Sequence, residues 1–335
     1  MRNSFQPVKQ IYRAYLTGIL LFAATLVIFI SVLCLGDFPV TPREVLSALL
    51  GKGDETITMV VREWRLPRAG LAVLIGAAVG LSGAIFQSLL RNPLGSPDII
   101  GFDAGAYAGA MLLLLTGGGF IATATGALAG GMIAAILVYS LAWKNGVQGF
   151  RLILIGIGIG QLLFAFSQWL LLQTEPETAV AVSVWGTGSL SGVEMRQLIA
   201  AALIFSMLIP ASLLLTRALR QLELGDELAQ ASGLSVERTR RLLIFAGVSL
   251  SAMATAIVGP IAFIALVAPQ LASKLASSAG TAPLLAALTG AALLSASDMI
   301  AQHGLGQTQV PVGVVTLCSG GIWFVWLLAR KTTQW

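Results

Sequence analysis

The sequence predicts an all-α membrane protein of about ten transmembrane helices. Three observations lead there. Of the 335 residues, 56% are hydrophobic and 10% are charged, with a mean hydropathy of +0.87, far from the mix of a soluble domain. The apolar runs are continuous, whereas the strands of a membrane barrel alternate. At about 20 residues per crossing, the chain is long enough for about ten spans with short connections. One His and two Cys leave no cluster for a metal or thiol site, and Cys34 and Cys318 lie in apolar runs where buried, inert thiols are expected.

The first span is expected at 14–35. Its apolar core is too long for a cleaved signal, no small-residue cleavage site follows, and Leu33 before Cys34 is too bulky for lipoprotein processing. Arg2, Lys9 and Arg13 hold the amino end in the cytoplasm. Asp37 to Glu63 then forms an outer loop. Within it Thr41 to Leu50 reads as a short amphipathic helix, with Thr41 as cap, Pro42 at the first position and Glu44 closing the box. Arg62, Arg65 and Arg68 follow at intervals of three, so a helical approach puts them on one face. They are either a solvated helix end or a socket for acidic residues of a soluble protein.

The second and third spans, 69–90 and 99–116, flank a break at Arg91 to Asp98. There Pro93 and Pro97 remove backbone donors and fix φ. Gly76/Gly80, Gly101/Gly105 and Gly105/Gly109 are each four apart, a spacing that lets helices approach closely in lipid. Gln87, Arg91 and Asn92 mark the end of the second span, and Asp98 and Asp103 suit the start of the third.

Further spans are expected at 121–142 and 152–172. The latter carries Gly156, Gly160, Gln161, Phe164, Gln168 and Trp169. Gln161, Phe164 and Gln168 can share a face, and amides amid apolar residues face a water-filled pathway or bond a neighbouring helix. In the outer connection from Gln173 to Gln197, Gly186, Thr187 and Gly188 are expected to break any helix around Trp185. After a span at 198–216, the largest cytoplasmic loop runs from Arg217 to Arg241. A helix from Asp226 to Ser232, stopped by Gly233, and a second one begun at Ser235 are expected there. The last spans are 242–258, a short 261–275, 283–303 and 310–329. Asp298, an acid near the outer end of its span, has a hydrogen-bonded structural role as its expectation. With this topology 14 of the 20 Lys and Arg lie on the cytoplasmic face, including Arg91, Lys144, Arg217, Arg220, Arg238, Arg240 and Arg241. The basic pI therefore reports topology and not nucleic-acid binding.

R-L-P-R, G-A-A-V-G-L-S-G-A-I-F-Q and R-N-P-L-G-S-P-D-I-I-G-F, in order from Arg65, resemble the permease subunits of the FecCD/BtuC family. So do W-G-T-G-S-L (Trp185 to Leu190), L-G-D-E-L-A-Q-A-S-G-L (Leu224 to Leu234), G-P-I-A-F-I-A-L-V-A-P-Q (Gly259 to Gln270) and V-P-V-G-V-V-T (Val310 to Thr316). The likeness covers nearly the whole chain. It implies one permease domain over 1–335 with the BtuC-like fold of type II ABC importers. T-M-V-V-R-E-W-R-L-P-R and R-N-P-L-G-S-P-D-I-I-G-F are most similar to members for ferric enterobactin-type catecholates.

The resemblance also implies roles. Arg65 and Arg68, with Arg62 beside them, would dock a periplasmic binding protein. Gln302 stands where some vitamin B12 relatives have a further docking arginine. Leu224, Gly225, Asp226, Glu227, Ala229, Gly233 and Leu234 would engage the ATPase. Gly156, Gly160, Gln161, Phe164 and Gln168 would line the pathway, with Trp185, Gly186 and Gly188 in a re-entrant outer gate. The partners implied are a second permease subunit, a related paralogue, with two ABC ATPases and a siderophore-binding protein. No cofactor is expected on this chain, since ATP and Mg²⁺ act on the ATPase.

Four functions compete: ABC permease, ion-coupled carrier, channel and intramembrane enzyme. No lysine stands in G-x-x-x-x-G-K-[ST], so the chain has no Walker A of its own. One His and scattered acids give no convergent catalytic set. An ion-coupled carrier would rest on Asp298 alone. The permease reading uses the arginine cluster and the inner loop, which the others leave idle. The expected cargo is a ferric siderophore crossing the inner membrane, with haem or vitamin B12 as the alternative.

Overall fold

The computed structural model describes residues 6–143, 149–278, 280–304 and 309–331. Arg2 and Lys144, expected on the cytoplasmic face, lie outside the described residues. All the elements are helical, and ten of them correspond to the ten expected spans. These are α1 (Gln6–Cys34), α4 (Leu66–Leu90), α5 (Phe102–Leu115), α6 (Phe120–Ala142), α7 (Gly149–Leu172), α9 (Met195–Leu214), α12 (Val236–Val258), α13 (Ile264–Ala276), α14 (Pro283–His303) and α15 (Val312–Lys331). Among the described residues, seven helical stretches are long and apolar enough to cross a membrane, and α5, α13 and the apolar part of α15 are shorter.

Shorter helices connect them. α2 (Pro42–Leu49) has the expected capping box: Glu44 N–H donates to Thr41 Oγ1 and the Glu44 carboxylate accepts from Thr41 N–H. α3 (Glu55–Met59) runs through a π-helical turn, Val60–Arg65, directly into α4. The second helical stretch therefore starts well before the expected residue 69. α8 (Pro176–Gly186) includes Trp185, so the helix breaks after that residue and not around it. α10 (Thr216–Glu223) and α11 (Asp226–Ala231) form the loop element, and α12 starts at Val236 without a separate second helix.

α4 and α12 are the most buried of the long spans, whereas α1, α7 and α9 leave most of their surface uncovered. The centre is packed through missing side chains. A Cβ at Gly76 would collide with the Gly290 carbonyl of α14, and one at Gly80 with the Ala286 carbonyl. Gly105 and Gly109 meet Gly130 and Gly126 of α6 in the same way. Backbones in such contact gain dispersion along the whole crossing, which drives association where no hydrophobic difference exists between helix and lipid. Gly101 differs from the helical expectation: it caps α5 in the left-handed region at φ 82, against the Gly156 and Gly160 backbone. Cys34 is half-buried and Cys318 is exposed on α15, which corrects the buried expectation for the latter.

Candidate functional site

Three groups of residues stand out: a cavity and the two ends of the bundle. The cavity, about 470 Å³, lies between α5, α7, α8 and the turn after α12. Phe164, Gln168 and Gly186 from the predicted pathway set line it, together with Asp98, Asp103 and Tyr107. Tyr107 stacks on Trp185 at 5.4 Å between centroids, which seats α8 on α5. Gly188, at φ 78, continues the chain where a Cβ would crowd the Pro260 carbonyl. Ser189 N–H then donates to Val258 and Gly313 N–H donates to the Gly188 carbonyl, so this irregular backbone is satisfied by protein. Gly156 and Gly160 face Ile100 and Gly101, and Gln161 is exposed on α7 outside the cavity lining.

Of the two cavity acids, Asp103 lies in the first turn of α5 as expected, and Asp98 binds elsewhere. Asp98 Oδ2 accepts from Phe263 N–H at 3.2 Å, at the left-handed residue that opens α13, so it serves another helix and not its own. Asp103 is buried and accepts from the Ser251 hydroxyl of α12. Tyr107, Ser251 and Phe263 carried no local signal, because each becomes relevant only once distant helices meet.

At one end α1, the π-turn, α4 and α14 converge. The three arginines do not share a face. Arg62 is exposed and reaches the Leu49 carbonyl at 3.5 Å. Arg65 donates to the Leu33 and Phe38 carbonyls at 2.9 and 2.6 Å, closing the end of α1. Arg68 is 12% exposed and grips Asp298 through Nε at 3.0 Å and Nη2 at 2.9 Å. Gln302 donates to the other oxygen at 2.7 Å. Asp298 is thus paired, and the acid an ion-coupled carrier would have used is compensated by a cation. The π-turn covers the step from Arg62 to Arg65, where its wider turn sets the two side chains further apart than an α-helix would.

At the opposite end α10 and α11 lie beside the last turn of α4. Gly225 at φ 112 bends the chain between them, and Gly233 at φ 86 ends α11 as expected, donating to the Gln230 carbonyl. Ala229 is buried, whereas Leu224, Leu228 and Glu227 are exposed. Asp226 bonds Arg91 at 2.6 Å and Arg240 at 2.9 Å. Partial burial pushes its carboxyl upward, but the Arg240 and Arg91 guanidiniums outweigh that and hold it below the ordinary range. Arg240 also binds Glu237 at 2.6 Å, and the Tyr139 hydroxyl of α6 donates to Glu237 at 2.8 Å. Sequence reading missed Glu223, Glu237 and Tyr139 as site residues. The spacing of Glu223 and Asp226 at three, beside a loop glycine, was the available signal.

The sequence model of the FecCD transport family matches residues 23–330. The chain is 46% identical over 323 residues to the ferric enterobactin transport system permease protein FepG of Escherichia coli, covering 96% of this chain and 98% of that one. It is 34% identical to the iron(3+)-hydroxamate import system permease protein FhuG of Bacillus subtilis, covering 92% and 95%. Among solved structures it matches a metal-chelate type ABC transporter in an inward-facing conformation, with a TM-score of 0.80, 26% identity and coverage of 93% and 98%.

Proposed function

The chain belongs to the FecCD transport family, and from that premise we propose that it is the permease subunit of an ATP-driven importer of ferric siderophores. The cargo is a ferric catecholate of the enterobactin type, carried across the inner membrane. The observation that carries the reading is the α10–α11 element. It presents Leu224 and Leu228, 68% and 61% exposed, from an end rich in charge. Exposed apolar side chains on a short element fixed at both ends suit a groove on a soluble partner, and the partner is the ATPase. That end is cytoplasmic, and the arginine end faces the periplasm.

The family to which the chain belongs works with an ATPase and a binding protein. Two ATPases sit below, and a related second permease completes the pathway around the α5–α7–α8 cavity. No cofactor belongs to this chain, because ATP and Mg²⁺ act on the ATPase. Arg62 supplies the exposed charge for a binding-protein carboxylate, while Arg65, Arg68 and Gln302 fix the surface around it. The exposed wall of the cavity is mostly apolar, and two of its polar residues are acids. A polyanionic ferric catecholate would be held weakly there, which suits a passage and leaves affinity to the binding protein. The test is uptake of defined ferric siderophores by proteoliposomes containing the assembled transporter. ATP-dependent accumulation of a ferric catecholate is expected. Preference for haem or vitamin B12 would overturn the cargo assignment. Arg62→Glu should weaken docking of the binding protein at low salt, and unchanged affinity would remove that role.

A further inference from the structure

We infer that Glu223 and Asp226 form a two-point grip through which the α10–α11 element moves the end of α4, with Ser88 and Arg91 as its handles. The spacing matches on both sides. Ser88 and Arg91 are three apart at the last turn of α4, and Glu223 and Asp226 are three apart across the bend. Ser88 Oγ donates to Glu223 Oε1 at 2.6 Å, and Arg91 Nη2 donates to Asp226 Oδ1 at 2.6 Å. Glu223 also accepts from Thr281 N–H, two residues before α14 begins. Arg240 holds the other Asp226 oxygen and is itself only 10% exposed, which ties the grip to α12. The assignment rests on the importer reading for its source of motion.

Stability alone does not account for this arrangement. The Arg91–Asp226 pair is about half exposed on both sides, and such pairs add little. Arg91, at φ 48, is the left-handed cap of α4, where its N–H and that of Asn92 donate to the Ser88 and Gln87 carbonyls and fix the point from which its side chain leaves. A weak pair set on a fixed helix end is a positioning feature. The grip also has somewhere to deliver motion. Gln87, one residue before Ser88, donates to the Leu266 carbonyl of α13 at 2.9 Å. Gln270 of α13 donates to the Pro93 carbonyl at 2.8 Å. Asp98, in the same loop after Arg91, accepts from Phe263 and lines the cavity. The end of α4, its loop and α13 are thus one hydrogen-bonded body that reaches from the grip to the cavity wall. Gly225, at φ 112 with open space around it, sits between the two contacts as the one bend in the element.

The experiment uses the assembled transporter in proteoliposomes and measures ferric siderophore uptake and ATP hydrolysis together. Arg91→Ala and Glu223→Gln are expected to lower uptake per ATP at least five-fold each, with Arg91→Lys restoring most of it. Ser88→Ala, the mildest change, should lower the ratio about two-fold. An Arg91→Ala/Asp226→Asn double variant should be no worse than the poorer single one, because Asp226→Asn already removes the contact that Arg91→Ala removes. Thermal unfolding of each complex in detergent is compared with wild type. A ratio unchanged in Arg91→Ala and Glu223→Gln overturns the grip. Uptake and hydrolysis falling in parallel with the unfolding temperature also overturns it, since that marks a structural contact only. A wild-type complex that hydrolyses ATP without any uptake would count against the importer reading instead.

Discussion

Asp298→Ala should be among the most damaging single substitutions in the protein. Its side chain is 1% exposed, and it accepts bonds from two nitrogens of Arg68 and one from Gln302. Removal leaves the Arg68 guanidinium, 12% exposed, without its counter-charge. Breaking one side of a buried pair costs about 3–5 kcal/mol. Arg68→Ala should cost a similar amount, for it strands the carboxylate. Arg68→Met/Asp298→Leu removes both charges and keeps the volume. It should recover most of that loss, as apolar replacement of a buried pair is often neutral or stabilising. Denaturant unfolding in detergent, followed by fluorescence of the seven tryptophans, measures the cycle. Single variants costing less than about 1 kcal/mol, the range of a solvated pair, would refute the reasoning. So would a double variant costing the sum of the singles.

Other expectations follow from the packing and the caps. Gly80→Val should destabilise by about 1–3 kcal/mol or more, since a side chain there meets the Ala286 backbone. Gly158→Ala, at a glycine with open space around it, should be neutral in the same unfolding assay. Gly233→Val should uncouple transport from ATP hydrolysis while expression stays normal, because the φ of 86 costs a side chain about 1–2 kcal/mol locally without a clash; wild-type uptake would count against it. The lowered pKa of Asp226 means its contribution is present above the unfolded value and lost as pH falls through the folded one. Proteolysis of the α10–α11 element should therefore rise only on acidification below about pH 4, and a transition between pH 5 and 8 would point to another group. Thr41→Ala should loosen α2 by about 1 kcal/mol, read by hydrogen exchange at Glu44.

Local features were legible in the sequence, and features joining distant segments were not. The ten spans depend on continuous apolar runs, and the Pro93–Pro97 break, the Thr41 capping box and the Gly233 stop on residues close to one another in the chain. The Gly76/Gly80 pattern announced close packing but could not name Gly290 and Ala286 as the surface met. Asp298 read as isolated because Arg68 lies 230 residues earlier. The arginine spacing misled because the π-turn changes the angle between Arg62 and Arg65, which composition does not reveal. Asp98 was expected at its own helix start and instead serves Phe263, whose left-handed backbone has no marker in an apolar run. The helix begun at Ser235 was legible, but its continuity with the span expected at 242–258 was not, because its first turns are charged. Glu237 and Arg240 find partners in Tyr139 and Asp226 there, so a hydropathy window starts the span too late.

The central claim is that this chain provides the passage while a separate ATPase supplies the energy. Its most direct test compares ferric catecholate accumulation in proteoliposomes holding this chain alone with those holding the complete transporter. Accumulation only in the complete assembly, abolished by withholding ATP and indifferent to a proton gradient, is the predicted result. Accumulation by the isolated chain, or uptake that follows the proton gradient without ATP, would contradict it.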